Sequence, residues 1–212
     1  MPLYVREPEE KERELIPSGV HEAVCYLVAD LGTHFSDMFG KSSRKVVIGW
    51  EVPKFRIQIE RNDRTLDLPR AISKQYTASL HEKSNLRKDL QLWRGKDFED
   101  AELKQFDLKN ILGKTCSLHI IHKKGNDGKT YANVVSIIPP TRALSAENNL
   151  QWFSMYEDAD IPPNLPKWII EKIKDSQEWK GQPEFTPSEH SDEPSDIVPP
   201  EEEIPPEDDC PF

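Results

Sequence analysis

Short segments rich in β-branched and aromatic residues dominate the first two thirds of the chain. In 44–52, Val46, Ile48, Trp50 and Val52 alternate with other residues, which is the period of a half-buried strand. Similar segments occur at 18–31, 55–60, 66–80, 115–122 and 129–138, and the last two flank an Asn-Asp-Gly hairpin signal. The sequence therefore predicts a mainly β protein.

Helical signals interrupt this series of strands before its last hairpin. A helix is predicted over 82–93, with Ser84 as N-cap and Gly95 at its C-terminus, and a second short helix over 99–112. A polar loop is predicted over 32–43, and Pro53 is expected to bend or end the strand before it. This order favours an OB-fold-like Greek-key β-barrel with a helical insert, over 17–142, rather than a doubly wound α/β sheet.

The segments outside 17–142 have different compositions. Residues 1–16 are dense in charge and are predicted to form a mobile arm, whereas 143–181 is predicted to be an extension with a helix over 166–179. That helix either packs on the barrel or mediates formation of a homo-oligomer, and the sequence leaves both open. No apolar run approaches the roughly 18–20 residues that span a bilayer, so we expect a cytoplasmic protein without a membrane anchor.

Charge is distributed unevenly along the chain. Residues 43–142 hold 20 Lys or Arg against 12 Asp or Glu, whereas 182–212 hold 11 Asp or Glu and no Lys or Arg. The net charge of −10 is thus an average over a basic body and an acidic end. Because 182–212 also lacks the apolar residues that a core requires, we predict a disordered acidic interaction tail following a nucleic-acid-binding domain.

Basic and aromatic residues interleave in this basic body, as a single-stranded nucleic acid requires for phosphate contacts and base stacking. Tyr76 and Tyr131 are the stronger stacking candidates, because Trp50 and Phe55 lie on apolar strand faces and Trp93 ends an amphipathic helix. The latter three have core packing as an alternative. The predicted DNA-binding residues are Arg44, Lys45, Trp50, Phe55, Arg56, Lys74, Tyr76, Arg87, Lys88, Trp93, Arg94, Lys123, Lys124, Lys129 and Tyr131.

Metal and catalytic signals are weak. Cys116, His119 and His122 are spaced by two residues each, but on a strand the middle residue points away from the other two, and no second ligand pair follows. The sequence has neither a glycine-rich phosphate loop nor a nucleophile motif. We expect no metal, no cofactor and no enzymatic activity.

The last five residues carry a sharper signal. Asp208, Asp209, Cys210, Pro211 and Phe212 offer a partner several carboxylates and one apolar plug, which suits a short disordered binding peptide. The alternative is a merely solubilising tail. This end resembles the tail of bacterial single-stranded DNA-binding proteins, which ends Asp-Asp-Ile-Pro-Phe, and the resemblance implies recruitment of replication or recombination proteins such as a polymerase, helicase or primase.

Most of 15–138 also resembles a family of phage single-stranded DNA-binding proteins. The matching stretches are LIPSGVHEAVCYLVADLG (15–32), KVVIGWEVP (45–53), YTASLHEKSNLRKDLQLWRGKDF (76–98) and FDLKNILGKTCSLHIIHKKGNDGKTYANVVSI (106–137). The resemblance implies an OB fold that coats single-stranded DNA in replication, recombination or repair without catalysis, and it assigns no binding residues. The alternatives are an adaptor or DNA mimic whose acidic tail is the active element, and a strand-annealing recombination mediator.

Overall fold

A single sheet organises the part of the chain that the computed structural model describes, residues 14–37, 40–61, 64–158 and 160–181. Neighbouring strands follow the order β3-β2-β1-β4-β5 and are antiparallel, whereas β6 pairs in parallel with β1. The strands are β1 (Gly19–Ser36), β2 (Lys41–Arg61), β3 (Arg64–Thr77), β4 (Thr115–Lys124), β5 (Thr130–Ile138) and β6 (Gln151–Phe153). The helices are α1 (Asn85–Arg94), α2 (Asp100–Lys104) and α3 (Lys167–Lys174). The prediction of a mainly β protein is confirmed.

Strands β1 and β2 are longer than predicted. Their pairing continues to Ser36 opposite Lys41, so the predicted loop over 32–43 is wrong. These residues lack apolar alternation because much of this end of the hairpin is exposed to solvent. Strand β2 also continues through Pro53, since the missing N–H falls where β1 pairing has ended and a register shift between Val52 and Arg56 interrupts the β3 ladder.

A first hydrophobic core lies on the inner face of the sheet. Its largest fully buried side chain is Trp50, and α1 adds Leu86, Leu90 and Trp93 from its apolar face. Helix α1 packs against β3 and β5, and those two end strands of the sheet also contact each other. Gly95 ends α1 with a left-handed φ of 66°, which confirms its predicted place at the helix C-terminus.

A second core covers the outer face of β1. Leu27, Leu31 and Val47 pack there against Phe153 of β6 and against α3, which contributes Ile169 and Ile173 among others. Of the two roles left open for the predicted helix over 166–179, packing onto the sheet is the one observed. Beyond α3, the Glu178 carboxylate accepts hydrogen bonds from the Thr33 backbone N–H (2.7 Å) and hydroxyl (2.6 Å), which fixes the end of the extension to β1.

Other predicted boundaries also differ from the structure, and α3 for example ends at Lys174 rather than at residue 179. The helix predicted over 99–112 is divided into α2 and a short 3-10 turn, Leu108–Ile111, whose N-cap Asp107 accepts from the Lys109 backbone N–H. The predicted mobile arm ends earlier than residue 16, because Ile16 is buried in the first core. The rest of that arm, 1–13, and the predicted tail, 182–212, lie outside the described residues.

Candidate nucleic-acid interface

Three of the predicted stacking residues are core residues. Trp50 is 0%, Tyr76 4% and Trp93 6% exposed. Trp93 also donates its indole N–H to the Thr115 carbonyl oxygen at 2.8 Å, which holds the ring inside. A base cannot stack on a ring that protein atoms already cover, so the prediction of stacking at these three positions is corrected.

Several predicted phosphate-binding cations are occupied by protein partners. Lys74 donates to the Asp89 carboxylate at 2.7 Å, and Tyr76 donates its hydroxyl to the same oxygen at 2.8 Å. Arg56 binds Asp67 and Glu147, and Arg94 binds Glu102 while lying over the ring of Phe98. Phe55 is half-buried against the first core and meets the ring of His21 edge-on, with the centroids 4.9 Å apart. The charges of these three cations, and part of the ring surface of Phe55, are thus already in contact with other groups of the protein.

The β4–β5 hairpin keeps its predicted residues exposed. Lys123 and Tyr131 face each other across the two strands, and Lys124 pairs with Thr130 beside them. Tyr131 is 46% exposed. Among the described residues no carboxylate lies within ion-pair distance of Lys123 or Lys124. We call Lys123, Lys124, Lys129 and Tyr131 the hairpin platform.

The ring of Tyr131 is held in place by its own hairpin. Its hydroxyl donates to the Asp127 carboxylate, and the ring lies so close to Gly125 that a side chain there would come within 2.7 Å of it. This hydrogen bond lowers the pKa of Asp127 and raises the pKa of Tyr131, so the pair is stable in the form in which the phenol donates. An exposed ring with a fixed orientation is a preorganised surface for stacking.

The sheet face beside the hairpin platform is open and mixed in character. Val20, Val135 and His119 are exposed there, whereas Cys116 is buried in the first core. Cys116 and His119 therefore lie on opposite faces, as the strand alternation predicts.

The described residues contain no group of three or more His, Cys, Asp or Glu side chains arranged to hold a metal ion. They also contain no helix that is long and apolar enough to cross a membrane.

A second group of cations gathers where β3 leads into α1. Lys45 donates to the Thr77 hydroxyl at 2.9 Å, and Arg87 donates to the Leu80 carbonyl oxygen at 3.3 Å, so neither is neutralised by a carboxylate. Lys83 and Lys88 are exposed, and within the described ranges they too have no ion-pair partner. We call Lys45, Lys83, Arg87 and Lys88 the β3–α1 corner. Lys83 escaped the sequence prediction because no aromatic residue lies next to it.

Arg44 adjoins this corner through its backbone, because its carbonyl oxygen accepts from the Ala78 N–H at 2.9 Å. Its guanidinium binds the carboxylate of Asp30 and lies 4.1 Å from the ring centroid of Tyr156. Burial acts to lower the pKa of Arg44, but the bond to Asp30 outweighs it and raises that pKa. The predicted phosphate contact at Arg44 thus competes with an ion pair inside the protein.

Sequence reasoning missed two exposed aromatic residues near Arg44. Tyr156 is 51% and Phe35 57% exposed. Phe35 lies opposite Ser42 at the end of the β1–β2 hairpin, and Tyr156 follows β6 in the extension. Only the fold brings Tyr156 next to Arg44, since 111 positions of sequence separate them. Neither residue lies in a run of alternating basic and aromatic residues, so the pattern used to search for stacking residues passed over both.

The chain matches no protein-family model, no curated protein and no solved structure.

Proposed function

We propose that this protein binds single-stranded DNA without sequence preference, coating the strand through the hairpin platform. The observation that carries the proposal is the exposed and fixed ring of Tyr131, which lies between lysines on an open hairpin. Stacking on an aromatic face is available to every base, and lysines attract the phosphates that connect the bases. A surface of this kind selects unpaired bases, because in a duplex their faces are stacked on one another.

The strand topology supports the proposal. A strand path of β3-β2-β1-β4-β5, a helix between β3 and β4, and contact between the two end strands are the features expected of an OB-like barrel. The hairpin platform then corresponds to the β4–β5 loop, which such barrels use to bind oligonucleotides. The acidic tail, outside the described residues, is proposed to recruit replication or recombination proteins through Asp208, Asp209, Cys210, Pro211 and Phe212.

Replacing Tyr131 with alanine is expected to weaken binding of an oligo(dT) about tenfold, because loss of one aromatic stack costs about 1–3 kcal/mol. Fluorescence anisotropy of a labelled oligo(dT), titrated at several salt concentrations, measures the change. Y131F keeps the ring and loses only the bond to Asp127, so its affinity should stay within about threefold of the original. Duplex DNA of equal length should bind more weakly to every variant.

A matched control removes an exposed aromatic residue from a different surface. Trp168 of α3 is 38% exposed, and W168A should leave the affinity for oligo(dT) unchanged. Equal losses from Y131A and W168A would contradict a specific role for Tyr131. If the unaltered protein binds duplex as tightly as single strand, the proposed function itself is wrong.

A further inference from the structure

We infer that the β3–α1 corner is a second contact for the DNA backbone, at which Lys45, Lys83, Arg87 and Lys88 bind phosphates of a strand whose bases are held at the hairpin platform. This inference rests on the proposed function. It assigns to that function a second site, made by other elements of the fold, and it predicts that one strand contacts both sites.

The first argument is charge. The corner carries four cations, on β2, on α1 and on the segment between β3 and α1, against one exposed carboxylate, Glu82, in that segment. The contacts of Lys45 with Thr77 and of Arg87 with Leu80 place these two cations at the two ends of the turn that leaves β3, and none of the four has an ion-pair partner among the described residues. Elsewhere in the same sheet the cations Arg44, Arg56 and Lys74 are each bound to at least one acidic side chain. Clustered cations repel one another, and an anionic polymer relieves that repulsion while releasing its own counterions.

The second argument is rigidity. The segment between β3 and α1 is tied internally, because the Ser84 hydroxyl donates to the Ser79 carbonyl oxygen at 2.6 Å and the His81 N–H to the Ser79 hydroxyl at 3.1 Å. Its first residue, Ala78, is bonded to β2, and Lys83 donates its backbone N–H to the His81 ring at 3.3 Å. The backbone that carries Lys83 is therefore fixed before any ligand arrives, which reduces the entropy lost on binding.

The third argument is position on the sheet. Strand β1 pairs with β4 at Gly19, opposite Ile120 and close to the hairpin platform, and with β2 at Gly32, opposite Lys45 of the corner. The length of β1 between these two residues is at most about 43 Å, at roughly 3.3 Å per residue. Lys45 of the corner and the hairpin platform are thus on one sheet, next to residues of β1 that are 13 positions apart. A single strand of DNA that contacts both sites must therefore be longer than one that contacts the hairpin platform alone.

The test neutralises the corner without touching the hairpin. We expect the triple variant K45Q/K83Q/K88Q to bind a 30-nucleotide oligo(dT) about tenfold more weakly at low salt, and equally so for a strand of mixed sequence. Its plot of log K against log salt concentration should be less steep by about 2, since each phosphate contact to a single strand contributes about 0.7 to the slope. The matched control is K104Q/K167Q/K172Q, which removes three exposed lysines from α2 and α3 and should change the slope far less.

The outcomes separate the two proposals. Unchanged affinity and slope in the corner variant, together with weaker binding by Y131A, would overturn the second site and leave the proposed function standing. Absence of binding by the unaltered protein would overturn both. If the triple variant does not fold, as thermal unfolding would reveal, K83Q/K88Q retains the Lys45 bond to Thr77 and should still lower the slope by about 1.4.

Discussion

Replacing Asp89 with alanine is expected to lower the free energy of unfolding by about 3–5 kcal/mol. The Asp89 side chain is 9% exposed, and one of its oxygens accepts from both Lys74 and the Tyr76 hydroxyl. Without it, the partly buried ammonium of Lys74 and the buried hydroxyl of Tyr76 lose their partner at once, and the hydroxyl is left desolvated in the folded state. Urea unfolding followed by circular dichroism measures the loss as a lower midpoint at unchanged slope.

Two further variants separate the contribution of the Tyr76 hydrogen bond from that of the whole Asp89 contact. Y76F removes one hydrogen bond to Asp89 and should lower the free energy of unfolding by only about 1 kcal/mol. K88A alters an exposed residue next to Asp89 in α1 and should leave the midpoint unchanged. An Asp89→Ala midpoint equal to that of K88A would show that the buried contact contributes nothing to stability.

Replacing Glu51 with alanine is expected to lower the free energy of unfolding by about 3 kcal/mol. Glu51 is 0% exposed, and its carboxylate accepts from the backbone N–H groups of Glu147 (2.6 Å) and Asn148 (2.9 Å) and from the Asn148 side chain (2.6 Å). The expected loss of free energy is smaller than the sum of three separate hydrogen bonds. Residues 147–149 are partly exposed, so their freed polar groups can form hydrogen bonds with water. Hydrogen exchange should show the amides of Glu147 and Asn148 opening faster.

The conservative variant tests whether Glu51 acts as an acceptor. E51Q keeps the shape of the side chain but has a single carbonyl oxygen. Its free energy of unfolding should therefore lie between that of E51A and that of the original protein. Protection of the 147–148 amides that is equal in all three proteins would contradict the assignment. E147A removes the neighbouring exposed carboxylate, which binds Arg56 instead, and should leave the Asn148 amide protected.

The strands were predictable from sequence because their apolar alternation extends over many residues, as at Val46, Ile48 and Trp50. Strand β6 was not, since three residues are too few for a period and its pairing with β1 joins positions more than 120 residues apart. The continuation of β2 through Pro53 also depends on a neighbour, because it requires that β1 has already ended there. Such features are decided by tertiary contacts that no local pattern records.

The two tyrosines chosen as stacking candidates show the same limit at the binding surface. Tyr76 and Tyr131 each lie in a strand, two residues after a lysine, and the sequence gives no reason to separate them. Their positions in the sheet do, since Tyr76 pairs with the inward-facing Val46, whereas Tyr131 pairs with Lys123 on the open side. The contact of Lys45 with Thr77, which places that cation at the end of β3, likewise depends on the pairing of β2 with β3.

The position of β1 at the centre of the sheet sets the order in which the chain can fold. Strand β1 precedes the other strands in the described part of the chain, and its partners β4 and β6 follow about 95 and 120 residues later. Contacts between residues so far apart in sequence slow folding, because a long loop must close before they form. The β1–β2–β3 meander is therefore synthesised with apolar positions on both faces of β1 uncovered, and it depends on the arrival of 115–181 to become protected from aggregation.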